Sequence, residues 1–274
     1  MSYFVLTGEQ AKAYQEDGFL IVRKFLSSEE IGKLASIAMS DDTVRKHAID
    51  LNDQSGRKTR LTQWYTPGDD AYGLLTRSKR MVESVNKLME GKSAVCHYHS
   101  KLMQKEPKVG GAWEWHQDYG YWYKNEFLFP DQMISVMVAI TDANKENGCL
   151  QVIKGSHKMG RIEHGFAGEQ VGASQHYVDL ALGRMERIYV ELTAGDALFF
   201  HPNILHRSEA NLSDKPRWSL ISCYNRSENV PTNEPSASST VPLNVVADET
   251  LLSAGVKGIE EIADFGAKSM VPKS

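Results

Sequence analysis

Apolar positions in the first ninety residues recur mostly at helical spacing, and the pattern changes afterwards. Thr7 is placed to cap a helix running through Ala11, Ala13 and Tyr14 and ending near Gly18, and Phe19–Val22 (FLIV) then predicts a short strand. In Ser27-Ser28-Glu29-Glu30, Ser27 as N-cap and Glu30 three residues on form a capping box, each satisfying a backbone N–H that the first helical turn leaves without a partner. The helix it opens carries Ile31, Leu34, Ile37 and Ala38 on one face. Residues 41–60 are polar and predict irregular chain. Arg80–Met89 predicts a further helix, with Met81, Val85, Leu88 and Met89 on one face.

From about Ala94 short runs of β-branched and aromatic residues alternate with turn signals. The predicted strands are Ala94–Gln104, Met133–Thr141, Cys149–Ile153, Arg187–Glu191, Ala197–Phe200 and Trp218–Asn225. Between them stand Glu106-Pro107, Asn147-Gly148, Lys154-Gly155, Ala194-Gly195-Asp196 and Asp214-Lys215-Pro216. Many short strands with such turns predict an antiparallel sandwich or jelly roll, mainly β, with the N-terminal helices packed on one sheet. No internal repeat is evident. Glu163–Gly183, rich in Gly, Gln and His, reads equally as a flap over a site or a long surface loop. Residues 227–243 read as an extended surface segment, and 248–268 as a last helix weakened by Gly255 and Gly258. The expected organisation is one catalytic domain: a mainly helical part over 1–93, a jelly-roll core over 94–225 and a C-terminal extension over 226–274.

Composition narrows the function. The 274 residues carry 31 Lys plus Arg against 35 Asp plus Glu, a net charge of −4. A nucleic-acid binder would show a basic excess, and a membrane-surface protein a polybasic patch. The longest apolar run, near Ile134–Ile140, is far short of the roughly 20 residues a membrane helix needs. Three scattered cysteines, Cys96, Cys149 and Cys223, suit neither a disulfide framework nor a cysteine zinc site. No secretory signal opens the sequence, so a reducing, cytoplasmic setting is expected.

The informative stretch is WEWHQDYGYW, residues 113–122. His116 and Asp118 are two apart, and on a strand such positions share a face. His206, ninety residues downstream, would complete two histidines and one carboxylate on one side of a metal, the set found in non-haem Fe(II) oxygenases. Taken alone, H-x-D more often marks solvated polar residues or satisfied core histidines. Ser208 follows His206 by two residues and Arg217 follows it by eleven. If Arg217 lies on the next strand, its guanidinium stands behind the metal, where it can hold a carboxylate through two parallel hydrogen bonds, with Ser208 as a third donor. Arg217 on its own would read as a surface strand residue.

HQD at 116–118, NGCLQVIKGSHK at 147–158, GDALFFHPNILHRSEAN at 195–211, Arg217 and the opening TGEQAKAYQEDGFLIVRKFLSSEEI at 7–31 together resemble the phytanoyl-CoA dioxygenase family. The resemblance spans about residues 7–225. It implies a double-stranded β-helix that uses Fe(II), 2-oxoglutarate and O₂ and releases succinate and CO₂. His116, Asp118 and His206 are then the iron ligands, and Arg217 and Ser208 bind the distal carboxylate of 2-oxoglutarate. Around the first histidine the likeness is to ectoine hydroxylases. Trp122 corresponds to a Trp six residues after the first ligand. Lys101 corresponds to a 2-oxoglutarate-associated Lys fifteen residues before it. His99 stands where those enzymes carry a substrate-binding Gln, which argues for a different small polar substrate. Halogenases of related type have Gly or Ala at the carboxylate position, so Asp118 points to hydroxylation.

The remaining candidates divide less clearly. Tyr119 reads as a pocket or core residue and Trp122 as a pocket residue. His97 and His99 alternate with Cys96 and Tyr98, so one of these sets faces inward, and the Lys101 correspondence selects the His99–Lys101 set. His157 reads as a structural turn residue, and His47, His164, His176 and His201 as surface residues. Arg60, Trp64 and Tyr65 are weak candidates to reach substrate. Two alternatives stay open: the same oxidation on an acyl-CoA or carrier-bound substrate, and a non-catalytic metal- or ligand-binding barrel.

Overall fold

The computed structural model describes residues 4–125, 128–167, 169–232, 238–253, 255 and 257–265. Among these the chain forms thirteen strands: β1 (Phe19–Val22), β2 (Ile49–Asn52), β3 (Lys58–Trp64), β4 (Val95–Lys105), β5 (Trp113–His116), β6 (Met133–Ala139), β7 (Leu150–Ile153), β8 (His164–Ala167), β9 (Gln170–Ala173), β10 (Arg187–Val190), β11 (Ala197–Phe200), β12 (His206–Ser208) and β13 (Arg217–Arg226). The α-helices are α1 (Gly8–Asp17), α2 (Ser28–Ser40), α3 (Asp42–Lys46), α4 (Ala71–Thr76), α5 (Lys79–Leu88), α6 (Asp118–Trp122), α7 (Gln175–Leu182) and α8 (Thr250–Ser253).

The expected capping box opens α2, and the Thr7 cap of α1 turns out to be a second one. The Thr7 hydroxyl accepts from the Gln10 N–H and the Gln10 side chain accepts from the Thr7 N–H; Ser27 and Glu30 do the same for α2. Gly18 ends α1 at φ +80°, a conformation that costs a Cβ-bearing residue strain. Glu30 has a second role. Its carboxylate meets Arg80 of α5 in a buried ion pair, and Arg80 also donates to the Phe25 carbonyl at 2.9 Å. The cap of one helix is thereby tied to the face of another.

Two antiparallel sheets face each other. The larger runs β1-β11-β6-β13-β4-β3-β2 and the smaller β10-β7-β12-β5. Helices cover the outer face of the larger sheet: Leu34 and Ile37 of α2 and Val85 of α5 share one core with Ile134, Val136, Leu220 and Tyr224. Burying one such side chain contributes about 1.5–3 kcal/mol. The inner face makes a second core with the smaller sheet, through Met137, Ile221 and Cys223 on one side and Leu150 and Val152 on the other. This is the expected mainly-β, jelly-roll-like sandwich with helices on one sheet.

Several expectations need correction. Residues 41–60 are not irregular: they hold α3, β2 and the start of β3, and β2 and β3 extend the large sheet beyond β4. The polar residues there lie toward the edge of that sheet, where β2 is the outermost strand and Asp50, Lys58 and Arg60 face water. Glu163–Gly183 is not a plain loop. It forms the β8–β9 hairpin and α7. Of the helix expected over 248–268, α8 keeps four residues and a 3-10 turn follows at Glu261–Ala263; 254, 256 and 266–268 lie outside the described residues. Among the described residues no helix is long and apolar enough to cross a membrane. The three cysteines are buried and unpaired.

One irregularity shapes the site. Between β4 and β13 the register runs His99 opposite Cys223 and then His97 opposite Tyr224, leaving Tyr98 as an extra residue. Such a bulge inverts the alternation beyond it. His97 therefore points to the helical side, bonded to the Ser100 hydroxyl at 2.8 Å, while His99 and Tyr98 both lie on the inner side against Trp122. Simple alternation would have put His97 with His99.

Candidate metal centre

His116 ends β5 and His206 begins β12, where the two are register partners. Asp118 is not on the strand. It is the first residue of α6, so the turn after His116, not strand alternation, brings its carboxylate to the imidazoles. Asp118 Oδ1 stands 3.8 Å from Nε2 of both histidines, and the three ligating atoms lie within 4.8 Å of one another. Donors sharing one ion at roughly 2.1 Å each stand about 3–4 Å apart, so modest closure accommodates a metal.

The surroundings prepare each donor. His116 Nδ1 sits 2.7 Å from the Glu114 carbonyl and His206 Nδ1 3.0 Å from the Ile204 carbonyl. A carbonyl only accepts, so each Nδ1 carries the proton and each Nε2 presents a lone pair. Burial drives both imidazoles below their ordinary pKa, which keeps them neutral. Burial alone would raise Asp118. The Lys101 ammonium and the Ser135 hydroxyl, which donates to Oδ2 at 2.6 Å, outweigh it and hold the carboxylate ionised. Two neutral imidazoles and one anion on one side are a facial set for a divalent metal.

Gln117, between the ligands, fastens this turn. Its amide donates to the Gly160 and Asn203 carbonyls at 2.7 Å each, its Oε1 accepts from the Ile162 N–H, and its own N–H donates to His164 Nε2 at 2.9 Å. His164 is thus an internal support, not a surface residue. His201 is likewise buried and pairs with Asp131 at 2.8 Å, and His47 bonds Glu261 and stacks on Phe265. His176 is exposed as expected. His157 packs beside Gly18 with Nε2 on the Gln15 carbonyl, a structural position. The matching motif residue next to it, Ser156, accepts from the Leu205 N–H at 2.8 Å and so fixes the chain beside the second ligand.

Beside the triad lies a cationic recess. Ser208 shares a face of β12 with His206, and its hydroxyl accepts from Lys105 Nζ at 2.8 Å. Lys105 is the register partner of Arg217 and also donates to the Glu209 carbonyl at 2.6 Å. Arg217 is 3% exposed; among the described residues NH1 reaches only Ser219, at 3.5 Å, and Nε has no partner. Burial lowers its pKa to about 10, still charged at neutral pH, and pushes Lys105 well down. A buried guanidinium beside a buried lysine, with no acid bonded to either among the described residues, forms a receptor for an anion, since burying an unpaired charge is costly and an anion also favours the protonated lysine. The resemblance singled out Lys101; the lysine that reaches Ser208 and Arg217 is Lys105. Lys101 lies four residues earlier, half-buried, facing Gln63 and Ile221 in register.

The third wall is aromatic. His99 lies 5.7 Å from Trp122 and 5.2 Å from Tyr98 between ring centroids, and Tyr65 meets His99 edge-on at 6.4 Å. Burial lowers the His99 pKa to about 3, so it is neutral. Tyr121 packs edge-on to His116 at 5.6 Å. Tyr119 is half-buried with its hydroxyl on the Leu128 carbonyl. Trp64 is fully buried in the helical core and Arg60 pairs with Asp50 near the surface, so neither faces this wall. Ser135, Gln117, His164 and Lys105 were not singled out by sequence reasoning. Of these, only Lys105 carried a signal there: its i, i+4 spacing to Lys101 on one strand face.

A facial donor set between two antiparallel sheets, with an anion recess beside it, defines the site of a mononuclear non-haem iron oxygenase. Residues 14–219 match the phytanoyl-CoA dioxygenase (PhyH) family model, and the chain belongs to that family of iron- and 2-oxoglutarate-dependent oxygenases. L-proline trans-4-hydroxylase of Streptomyces griseoviridis is 29% identical over 236 residues, covering 80% of this chain and 87% of that one. An ectoine dioxygenase of Bordetella bronchiseptica is 25% identical over 257 residues, covering 82% and 77%. The crystal structure of EctD from S. alaskensis with bound Fe shares the fold, with TM-score 0.72, 19% identity and 88% coverage of each chain.

Proposed function

We propose that the protein is a 2-oxoglutarate-dependent dioxygenase that hydroxylates a small polar metabolite. The observation that carries this reading is the adjacency of the His116/Asp118/His206 set to the buried, acid-free pair Lys105 and Arg217. Bound Fe(II), with 2-oxoglutarate and O₂, supplies the oxidising chemistry that converts 2-oxoglutarate to succinate and CO₂ and inserts oxygen into a C–H bond. The chain's own work is placement. His116, His206 and Asp118 hold the metal from one side and leave the other open. Arg217, Lys105 and Ser208 take the distal carboxylate, so the cosubstrate's other end is aimed at the metal. His99, Trp122 and Tyr98 wall the open side and exclude water.

The reading is supported by relatives named as a proline hydroxylase and an ectoine dioxygenase, whose substrates are both small molecules. Its test is succinate release on incubation with Fe(II), 2-oxoglutarate and O₂ across a metabolite panel. Stimulated release by the wild type, absent in Asp118→Ala, is expected. Release by the wild type no greater than by Asp118→Ala, over the whole panel, contradicts it.

A further inference from the structure

Two lysines stand on the inner face of β4, and the fold treats them differently. Lys105 is spoken for by Ser208 and the Glu209 carbonyl. The Lys101 ammonium has no hydrogen-bond or ion-pair partner among the described residues. The acid it acts on is Asp118, whose Oδ2 is taken by Ser135 and whose Oδ1 faces the two Nε2 atoms. Across the register from Lys101, Gln63 donates its amide N–H to the Tyr65 hydroxyl at 3.0 Å, while its buried Oε1 has no partner. Tyr65 leads on to His99 and Trp122.

The charges make the same point. The carboxylates of 2-oxoglutarate have a buried cation pair and a metal to meet. The one acid that Lys101 acts on, Asp118, is committed to Ser135 and the metal site, so the ammonium has no bonded partner among the described residues, and Gln63 adds an acceptor with no donor among them. Half-buried ammonium and buried amide oxygen both lose free energy when unmatched. One molecule carrying a carboxylate and an N–H satisfies both.

We propose that Lys101 anchors the primary substrate and that this substrate is a small amino- or imino-acid, its carboxylate on the Lys101 ammonium and its N–H toward Gln63 Oε1. This rests on the oxygenase reading above. Anchoring the polar end on β4 leaves the aliphatic part to lie against the wall that His99 and Trp122 form.

The test separates the two lysines. Lys101→Met and Lys105→Met are titrated anaerobically with 2-oxoglutarate after loading with Fe(II), reading the visible band of the chelate. A charge-assisted hydrogen bond is worth about 1.5–3 kcal/mol, so Lys105→Met weakens 2-oxoglutarate about tenfold or more, while Lys101→Met stays within about twofold of wild type. Succinate release is then followed with the protein amino acids and their matching carboxamides. An acid that stimulates the wild type does so about tenfold less well as its amide, and Lys101→Met raises its KM by a similar factor. The proposal is overturned if Lys101→Met loses 2-oxoglutarate as Lys105→Met does, or leaves the KM for the acid unchanged. It is overturned equally if amides match their acids, or if no acid stimulates a wild type whose chelate band is intact. A wild type with no band at all defeats the oxygenase reading itself, a different result.

Discussion

His116 and His206 are register partners on neighbouring antiparallel strands, their ring centroids 4.0 Å apart, although ninety residues separate them in the chain. Two imidazoles held so close, each with Nδ1 on a backbone carbonyl, present both Nε2 lone pairs toward Asp118 before any metal arrives. Without an ion, these lone pairs and a carboxylate repel one another, so the arrangement is relieved by a cation.

Ser135 tests how far the ligands depend on their supports. Its hydroxyl is the side-chain donor on Asp118 Oδ2. Ser135→Ala should weaken Fe(II) about 10–100-fold, the usual cost of removing a group that orients a ligand. Anaerobic metal titration measures this, and circular dichroism should show the fold unchanged.

Arg217→Lys keeps a charge and loses the planar fork. We expect 2-oxoglutarate to bind about tenfold or more weakly, since an ammonium cannot make two parallel bonds to a carboxylate, with Fe(II) affinity little altered. Equal loss of both would indicate a disturbed sandwich and not a lost anchor.

The pH dependence of stability follows from His97 and His99. Burial lowers their pKa values to about 4 and about 3 from an ordinary 6.5. The unfolded chain therefore takes up protons near 6.5 that the folded apoprotein refuses. Stability is full above that pH and falls as pH drops from about 6.5 toward 4, by roughly 1.4 kcal/mol per pH unit for each histidine. Denaturant unfolding of the apoprotein between about pH 7 and pH 5 should show this slope, and His97→Gln should flatten it.

Arg80→Met leaves the Glu30 carboxylate without its cation in a buried place and removes the tie between α2 and α5. A destabilisation of about 3–5 kcal/mol is expected by denaturant unfolding.

Much of this was legible in the sequence. The Thr7 cap, the Ser27 capping box, and strands such as Met133–Ala139 and Ala197–Phe200 follow from local chemistry and periodicity, and the structure places them within a residue or two of expectation. The strands that carry the ligands were not legible: Trp113–His116 and His206–Ser208 have four and three residues, too few for a period. The Tyr98 bulge was hidden because it is a property of pairing with Cys223 and Tyr224, not of the residues around it. Ser135 was hidden for the same reason, and the spacing of Lys105 to Lys101 did not say what it touches. Their roles exist only through Asp118 and Ser208, reached across the sheets. His164 and His201 look like surface residues in a polar stretch because their partners, Gln117 and Asp131, are 47 and 70 residues away.

The most direct measurement is an anaerobic titration of the apoprotein with Fe(II) and then 2-oxoglutarate, watching for the weak visible charge-transfer band of the chelate. The account predicts one Fe(II) per chain, a band that saturates with 2-oxoglutarate in the wild type, and loss of the band in His206→Ala. A wild type that binds zinc tightly but gives no band with Fe(II) and 2-oxoglutarate would contradict it.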